Sequence, residues 1–114
     1  MKLPERIQRK RTKGWKQPAN TRYCGRRSKW GNPFVVGRPY IEIHNSYFFD
    51  GIVTLEKSLE YYELWIDWRI KNKQLDLTEL LKYDYLSCWC PLVDKNGNKI
   101  MCHVDILIEK LKVL

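Results

Sequence analysis

The sequence predicts a small α/β domain in which a Rossmann-like sheet is flanked by helices, with a single domain covering residues 1–114. Three observations support this fold class. The chain of 114 residues is too short to divide into two halves that would each bury a sufficient core. Its hydrophobic content of 44% is enough for a packed globule. Helical and strand-like patterns alternate along its second half, which predicts at least one parallel crossover.

Short strands are predicted early in the chain and again near its end. Residues 7–13 and 22–25 fit two strands that are separated by a loop of turn-forming residues. Residues 85–90 are a mostly apolar run that ends at Pro91, which is typical of a buried strand. Residues 25–39 contain too many turn-forming residues for regular structure and too many aromatic ones for a solvated tether. We therefore predict an ordered functional loop there.

Three helices are predicted in residues 55–114. Between residues 55 and 73, apolar side chains recur at intervals of three and four, with acidic residues early and basic residues late. This pattern favours an amphipathic helix whose charges complement its dipole. Asp76 precedes a second apolar cluster and is the predicted N-cap of a short helix. After a polar turn over residues 94–99, residues 104–114 are predicted to close the chain as a helix.

Positive charge is concentrated in the first third of the chain. Residues 1–39 carry twelve Lys and Arg against one acidic residue, whereas residues 40–114 carry nine against twelve. A basic segment of this kind indicates an anionic partner, either nucleic acid or a compact phosphate-bearing ligand. A merely solvated basic face is the competing interpretation. No apolar run approaches the roughly 20 residues that cross a bilayer, so we expect a cytoplasmic protein with reduced thiols and no membrane partner.

The first candidate site is a segment in which glycines flank a run of basic residues. Gly25 and Gly31 would allow a positive φ, so that backbone N–H groups reach an anion. The basic side chains would hold phosphates, and Trp30 would stack on a base or ribose. The alternative is a solvated basic loop in which Trp30 and Phe34 plug the core. The segment contributes eight predicted ligand-binding residues: Gly25, Arg26, Arg27, Ser28, Lys29, Trp30, Gly31 and Asn32.

The second candidate site combines cysteines with one histidine near the end of the chain. Cys88 and Cys90 would share one face of a strand and converge with Cys102 and His103, so zinc, a plain buried-cysteine core and a ligand pocket are all open interpretations. Zinc sites favour two residues between paired cysteines, and sequence neighbours do not project in the same direction. We therefore predict neither a metal nor another cofactor. Cys90, Cys102 and His103 complete the predicted ligand-binding set.

Three motifs carry a resemblance to a known family. They are Tyr-x-Gly-Arg-x-Ser-Lys-Trp-Gly-Asn-Pro-Phe from residue 23, Leu-x-Cys-Trp-Cys-Pro-Leu from residue 86 and Cys-His-x-Asp-x-Leu from residue 102. Together they resemble the domain of unknown function family DUF4326, which is frequent in phages and bacteria. The departures are Cys24, where an aliphatic residue is usual, and residues 94–101, which lengthen the usual link. The resemblance implies a Rossmann-like arrangement that handles nucleotides and their derivatives.

We therefore expect the chain to bind a phosphate-bearing, nucleotide-derived small molecule. The resemblance further implies a phage protein that would sequester or process a host immune nucleotide signal in the host cytoplasm. The alternative function is nucleic-acid binding through the basic N-terminal third, with aromatic side chains as stacking platforms. Enzymatic activity and a homo-oligomeric state are left open. No catalytic signature is present, although His103, Asp105 or a cysteine thiolate could serve as acid, base or nucleophile.

Overall fold

The computed structural model describes residues 2–38, 41–43, 46–48 and 52–114, with the backbone alone for residues 41–43 and 46–48. Met1 and Pro39, the two ends of the predicted basic region, lie outside the described residues. The described helices and strands are, in chain order, β1 (Glu5–Gln8), β2 (Thr21–Tyr23), β3 (Ile41–Ile43), β4 (Ser46–Phe48), α1 (Leu55–Lys71), a 3-10 helix (Leu77–Lys82), β5 (Tyr85–Cys88) and α2 (His103–Lys112).

The central feature of the fold is a three-stranded parallel sheet in the order β1, β5, β2. β5 comes last in the sequence and is inserted between the first two strands, so that Ser87 is the register partner of both Ile7 and Tyr23. The connection from β2 through α1 to β5 is a parallel crossover, which confirms that part of the sequence prediction. A separate antiparallel pair is formed by β3 and β4, for which the sequence predicted no element.

All three parallel strands end earlier than the sequence predicted. β5 ends at Cys88 rather than at residue 90, and it has only four residues. β1 and β2 can therefore form backbone hydrogen bonds to β5 only along these four residues. The last of these bonds run from the amides of Arg9 and Cys24 to carbonyls of β5, at 2.8 and 2.7 Å. β1 therefore spans Glu5–Gln8 instead of the predicted residues 7–13.

α1 begins at the predicted residue and ends two residues before the predicted end. Thr54 caps its N-terminus, since its hydroxyl oxygen accepts a hydrogen bond from the Lys57 amide at 3.2 Å. Beyond its C-terminus, Lys73 adopts a φ of 59°, a left-handed conformation that is incompatible with a continued helix. Among the described residues, no helix combines the length and the apolar character that a membrane span requires.

The two remaining helical segments differ from the prediction in type or in starting point. The predicted N-cap Asp76 is confirmed, because its carboxylate accepts a hydrogen bond from the Thr78 amide at 3.0 Å, but the helix that follows is of the 3-10 type. α2 begins at His103, one residue earlier than predicted. The residue before it is the cap: Cys102 Sγ accepts a hydrogen bond from the Val104 amide at 3.3 Å.

α2 provides much of the core that covers the parallel sheet. It packs against β1, β5, α1 and the 3-10 helix. Val104, Leu107 and Leu111 recur at helical spacing and are buried with Leu86, the apolar residue in the middle of β5. This packing places the N-terminus of α2 beside the C-terminal end of β5.

A buried ion pair connects the first strand with the last helix. Arg6 in β1 and Asp105 in the first turn of α2 are 2.7 Å apart, with 5% and 9% of their side chains exposed. The same guanidinium donates to the carbonyls of Ile100 at 2.6 Å and Pro91 at 2.7 Å. The Asp105 carboxylate also accepts a hydrogen bond from the Cys102 amide at 2.9 Å. Because each charged group has several partners, the pair can be buried without an unmatched charge.

We expect Arg6→Ala to lower the free energy of unfolding by about 3 kcal/mol, because the substitution removes the buried counter-charge of the Asp105 carboxylate and leaves only the exposed Lys99 ammonium, 3.4 Å away, to pair with it. Lys2→Ala is the matched control. Lys2 lies 3.9 Å from Asp84 in an exposed pair of the same region, and its loss should change stability far less. Urea denaturation followed by circular dichroism measures both variants, and equal effects would contradict the role assigned to Arg6.

Candidate ligand-binding site

The structure contains a cavity of about 790 Å³ at the C-terminal edge of the parallel sheet. Tyr23 ends β2, Cys88 ends β5 and His103 begins α2, and all three residues line the cavity. The side of the cavity formed by α1 consists of Leu55, Ser58 and Leu59. In parallel α/β sheets this edge is where ligands bind, because helix N-termini point their free amides towards it.

Three arginines line the cavity: Arg11, Arg26 and Arg27. Arg11 lies over the ring of Trp89, with 4.7 Å between its guanidinium carbon and the ring centroid. Arg27 adopts a φ of 70°, an uncommon backbone conformation for a residue with a side chain. The cavity therefore combines a positively charged rim with aromatic and aliphatic walls.

The glycines of the 25–31 loop have a different role from the predicted one. Neither Gly25 nor Gly31 has a positive φ among the described residues. Each is required instead by close packing: a Cβ on Gly25 would overlap the Tyr23 ring, and a Cβ on Gly31 would overlap the Gly25 carbonyl oxygen. Ser28 closes this tight turn, because its hydroxyl donates to the same Gly25 carbonyl at 2.6 Å. Glycine is therefore needed here for space.

Trp30 and Lys29 face away from the cavity. Trp30 is fully buried in the core, and its carbonyl accepts a hydrogen bond from the Tyr62 hydroxyl at 2.5 Å. Lys29 forms an ion pair with Glu79 of the 3-10 helix at 2.6 Å. The predicted stacking of Trp30 on a ligand is thus replaced by a core position, which the alternative interpretation of this loop anticipated. Phe34 is also buried, although it contributes to the cavity wall.

The eight residues predicted from this loop therefore separate into two groups of four. One group lines the cavity: Gly25, Arg26, Arg27 and Asn32. The other group lies outside it and holds the loop in shape: Ser28, Lys29, Trp30 and Gly31. Asn32 does both, since its amide donates to the Ser58 hydroxyl of α1 at 2.9 Å.

The predicted cysteine and histidine residues meet at the innermost part of the cavity. The sulfur atoms of Cys88, Cys90 and Cys102 all lie within 4.8 Å of one another, and those of Cys88 and Cys102 are 3.3 Å apart. His103 Nδ1 lies 3.6 Å from Cys102 Sγ, and His103 Nε2 lies 2.6 Å from the Cys24 carbonyl oxygen. All of these residues except Cys24 line the cavity. We call the three sulfurs and His103 Nδ1 the thiol cluster.

The thiols differ in their acidity because their surroundings differ. Hydrogen bonds from Cys102, then Cys88 and His103, hold the pKa of the Cys90 thiol well below its ordinary value. The pKa of Cys102 is raised by its hydrogen bonds to Cys88 and Cys90 and by burial. Burial raises the pKa of Cys24 to about 12. Cys90 is also the least buried of the four cysteines, so its thiol is the most accessible to a molecule in the cavity.

Several cavity residues were missed by sequence reasoning. Arg11 belongs to the predicted basic region but has no motif around it, and Ser58 lies on a helix whose pattern indicated packing alone. Asp105, considered as an acid or base, is bound to Arg6 and does not line the cavity. The signal that could have identified this pair is the Asp of the Cys-His-x-Asp motif, since an acid in the first turn of an apolar helix needs a partner.

Comparison with known proteins gives one match. The family model described as Domain of unknown function (DUF4326) matches residues 7–113. No significant match was found among curated proteins or among solved structures. The matched range includes both the arginine-lined loop and the thiol cluster.

The acidity of Cys24 predicts a loss of stability in alkaline solution. The folded protein holds the Cys24 proton up to a pKa of about 12, compared with 9.0 for an ordinary thiol. The stabilisation that the protonated Cys24 thiol gives to the folded state is complete below pH 9.0 and decreases as the pH rises towards 12. We expect the unfolding free energy of wild type to fall more steeply than that of Cys24→Ala, by up to about 1.4 kcal/mol per pH unit.

Urea titrations of both proteins at pH 8, 9, 10 and 11 measure this difference, since every other titrating group is shared by the two chains. Parallel stability curves over this range would contradict the assignment.

Proposed function

The chain belongs to the DUF4326 family, and we propose that it binds a phosphate-bearing, nucleotide-derived small molecule in the cavity at the C-terminal edge of the parallel sheet. The observation that carries the proposal is the convergence of Arg11, Arg26 and Arg27 on this one cavity. Guanidinium groups bind phosphate oxygens with two parallel hydrogen bonds, and none of the three arginines has an acidic partner among the ion pairs of the described residues.

The remaining walls suit the organic part of such a ligand. Tyr23, Phe34 and Trp89 provide aromatic surface, while Leu55 and Leu59 provide aliphatic surface. A volume of about 790 Å³ lies within the range of small-molecule and cofactor sites. A mononucleotide or dinucleotide derivative would therefore place its phosphates at the arginine rim and its base or ribose against the apolar wall.

The position of the cavity supports the same proposal by analogy. In Rossmann-like sheets, nucleotides lie outside the carboxyl ends of parallel strands, with the phosphates near a helix N-terminus. Here the ends of β2 and β5 and the first residue of α2 surround the cavity in a comparable way. The three-stranded parallel sheet, in the order β1, β5, β2, would be a small version of such a sheet.

Mass spectrometry of small molecules released from the purified protein identifies the ligand. Recovery of the intact molecule after incubation and denaturation indicates a sequestering protein, whereas recovery of a product indicates an enzyme. A protein that releases no phosphate-bearing compound, and binds none from a nucleotide library, would refute the proposal.

Nucleic-acid binding is the second candidate, and one observation favours it. Trp89 is 39% exposed, and the guanidinium groups of Arg9 and Arg11 lie 5.0 and 4.7 Å from its ring centroid. Exposed aromatic rings beside arginines are used by proteins that stack on single strands. Binding of this kind would fall steeply with salt and would increase with strand length. A compact ligand shows neither dependence to the same degree, so titration with oligonucleotides of increasing length separates the two candidates.

We expect the double variant Arg26→Ala, Arg27→Ala to bind the identified ligand at least about 100-fold more weakly, because each lost charge-assisted contact costs about 1.5 to 3 kcal/mol. Its melting temperature should stay within a few degrees of wild type, since both side chains are exposed. Lys29→Ala is the matched control from the same loop, because Lys29 is paired with Glu79 outside the cavity. Isothermal titration calorimetry should show near wild-type affinity for this control, and equal losses in both variants would exclude the arginine rim.

A further inference from the structure

We propose that Cys88, Cys90 and Cys102 bind one Zn²⁺ ion through their three thiolate sulfurs. His103 Nδ1 lies 3.6 Å from Cys102 Sγ but outside this group of three mutually close sulfurs, and the proposal includes its movement towards the ion as the fourth ligand. This site lies in the same cavity as the proposed nucleotide ligand, but the inference does not rest on that proposal. It departs from the sequence-based expectation of no metal, because the structure shows geometry that the spacing of the cysteines did not indicate. Thiolate and imidazole ligands together favour zinc over harder cations such as magnesium and calcium.

The three sulfur atoms are grouped closely enough to bind one metal ion together. They lie within 4.8 Å of one another, with Cys88 and Cys102 at 3.3 Å. Zinc with sulfur ligands at about 2.3 Å places pairs of sulfurs about 3.8 Å apart in a tetrahedron. The spacing of Cys88 and Cys102 is shorter than this value by about 0.5 Å, and every other pair lies within 4.8 Å, so a change of side-chain rotation would let the three sulfurs share one ion.

His103 is oriented as a metal ligand by its second nitrogen. Nε2 lies 2.6 Å from the Cys24 carbonyl oxygen, and a carbonyl can only accept, so Nε2 carries the proton. In the neutral ring this leaves the lone pair on Nδ1, which lies 3.6 Å from Cys102 Sγ. A zinc ion bound to both atoms would separate them by about 3.6 Å. A backbone carbonyl that holds the distal nitrogen is the usual outer partner of a zinc-bound histidine.

The surrounding backbone holds the ligands without help from a metal. Cys102 Sγ accepts a hydrogen bond from the Val104 amide at 3.3 Å, which also stabilises a thiolate. Arg6 donates to the carbonyls of Pro91 and Ile100, so one guanidinium fixes both the segment after Cys90 and the segment before Cys102. Preorganisation of this kind lowers the cost of metal binding.

The structure brings the three sulfurs together although only one residue separates Cys88 from Cys90. β5 ends at Cys88, so Cys90 is not bound by strand alternation and its sulfur turns back towards Cys88 and Cys102. The long link over residues 94–101 is closed on itself, because Val93 pairs with Lys99 and Gly97 has a φ of 81° in the turn between them. Its length therefore places no strain on the cluster.

Four protein ligands would make this a closed, structural site with no open coordination position. Zinc would then join the end of β5 to the N-terminus of α2, at the same place where Arg6 joins β1 to α2. We expect the metal-bound protein to be more stable than the metal-free protein, since binding to the folded state alone stabilises it.

The experiment uses the full chain, reduced and stripped of metal with a chelator, and then titrated with Co²⁺ as a spectroscopic substitute for Zn²⁺. We expect saturation at about one Co²⁺ per chain, with sulfur-to-cobalt charge-transfer bands and the intense ligand-field bands of a tetrahedral site, and displacement of Co²⁺ by Zn²⁺. A wild-type protein without these bands, or one in which Cys88 and Cys102 form a disulfide even after reduction, would overturn the proposal.

Single substitutions test which side chains bind the metal ion. Cys90→Ala removes the least buried sulfur and should weaken Co²⁺ and Zn²⁺ affinity by more than about 100-fold while the protein remains folded. Cys24→Ala is the matched control, because Cys24 is a buried cysteine whose sulfur is outside the cluster, and it should bind one metal with unchanged bands. Unchanged metal affinity in Cys90→Ala would overturn the site. Unchanged bands in His103→Gln would overturn the fourth ligand.

Neither of these outcomes depends on the nucleotide proposal. The arginine variant that abolishes ligand binding retains all four proposed metal ligands and should bind Co²⁺ as wild type does. Loss of Co²⁺ bands in that variant would contradict the separation of the two sites.

Discussion

The buried pair between Arg6 and Asp105 is the contact on which the rest of the structure depends. It joins β1, which is the start of the fold, to α2, which is its end, and the same two side chains hold the backbone around Cys90 and Cys102. Burying two charges is costly, and carbonyl acceptors and an amide donor offset that cost here. The edge of the sheet that carries the cavity is therefore held by contacts between the first strand and the last helix.

This constraint explains which parts of the fold followed from the sequence. The helices were predicted close to their true limits, because periodicity and caps such as Asp76 are local signals. The insertion of β5 between β1 and β2 was not predictable in the same way. Pairing between parallel strands depends on long-range packing, and three- or four-residue strands carry almost no pattern of their own.

The candidate site was predicted in part for the same reason. Composition identified the basic loop and the cysteines, and Arg26, Arg27, Asn32, Cys90, Cys102 and His103 do line one cavity. Sequence alone could not show that Trp30 is buried in the core while Phe34 and Trp89 line the cavity. In a loop, no helical or strand periodicity indicates which way an aromatic side chain points, and tertiary packing decides it. The glycines were located correctly, but they are needed for close contact with Tyr23 and with each other.

The cavity is lined by two chemically different sets of groups, arginines and thiols. Arg26 and Arg27 lie on an exposed loop that Ser28 and Gly31 hold compact, whereas the cysteines lie at buried ends of β5 and α2. A cationic rim attracts phosphate, and a thiol cluster attracts a soft cation, so neither would bind well if the two were interleaved. β5 stops at Cys88, and Trp89 and Cys90 follow it. Tyr23 and Trp89 line the same cavity as the arginines and the sulfurs. Because the strand stops at Cys88, no ladder hydrogen bond holds Cys90 in the sheet, and its sulfur lies within 4.8 Å of those of both Cys88 and Cys102.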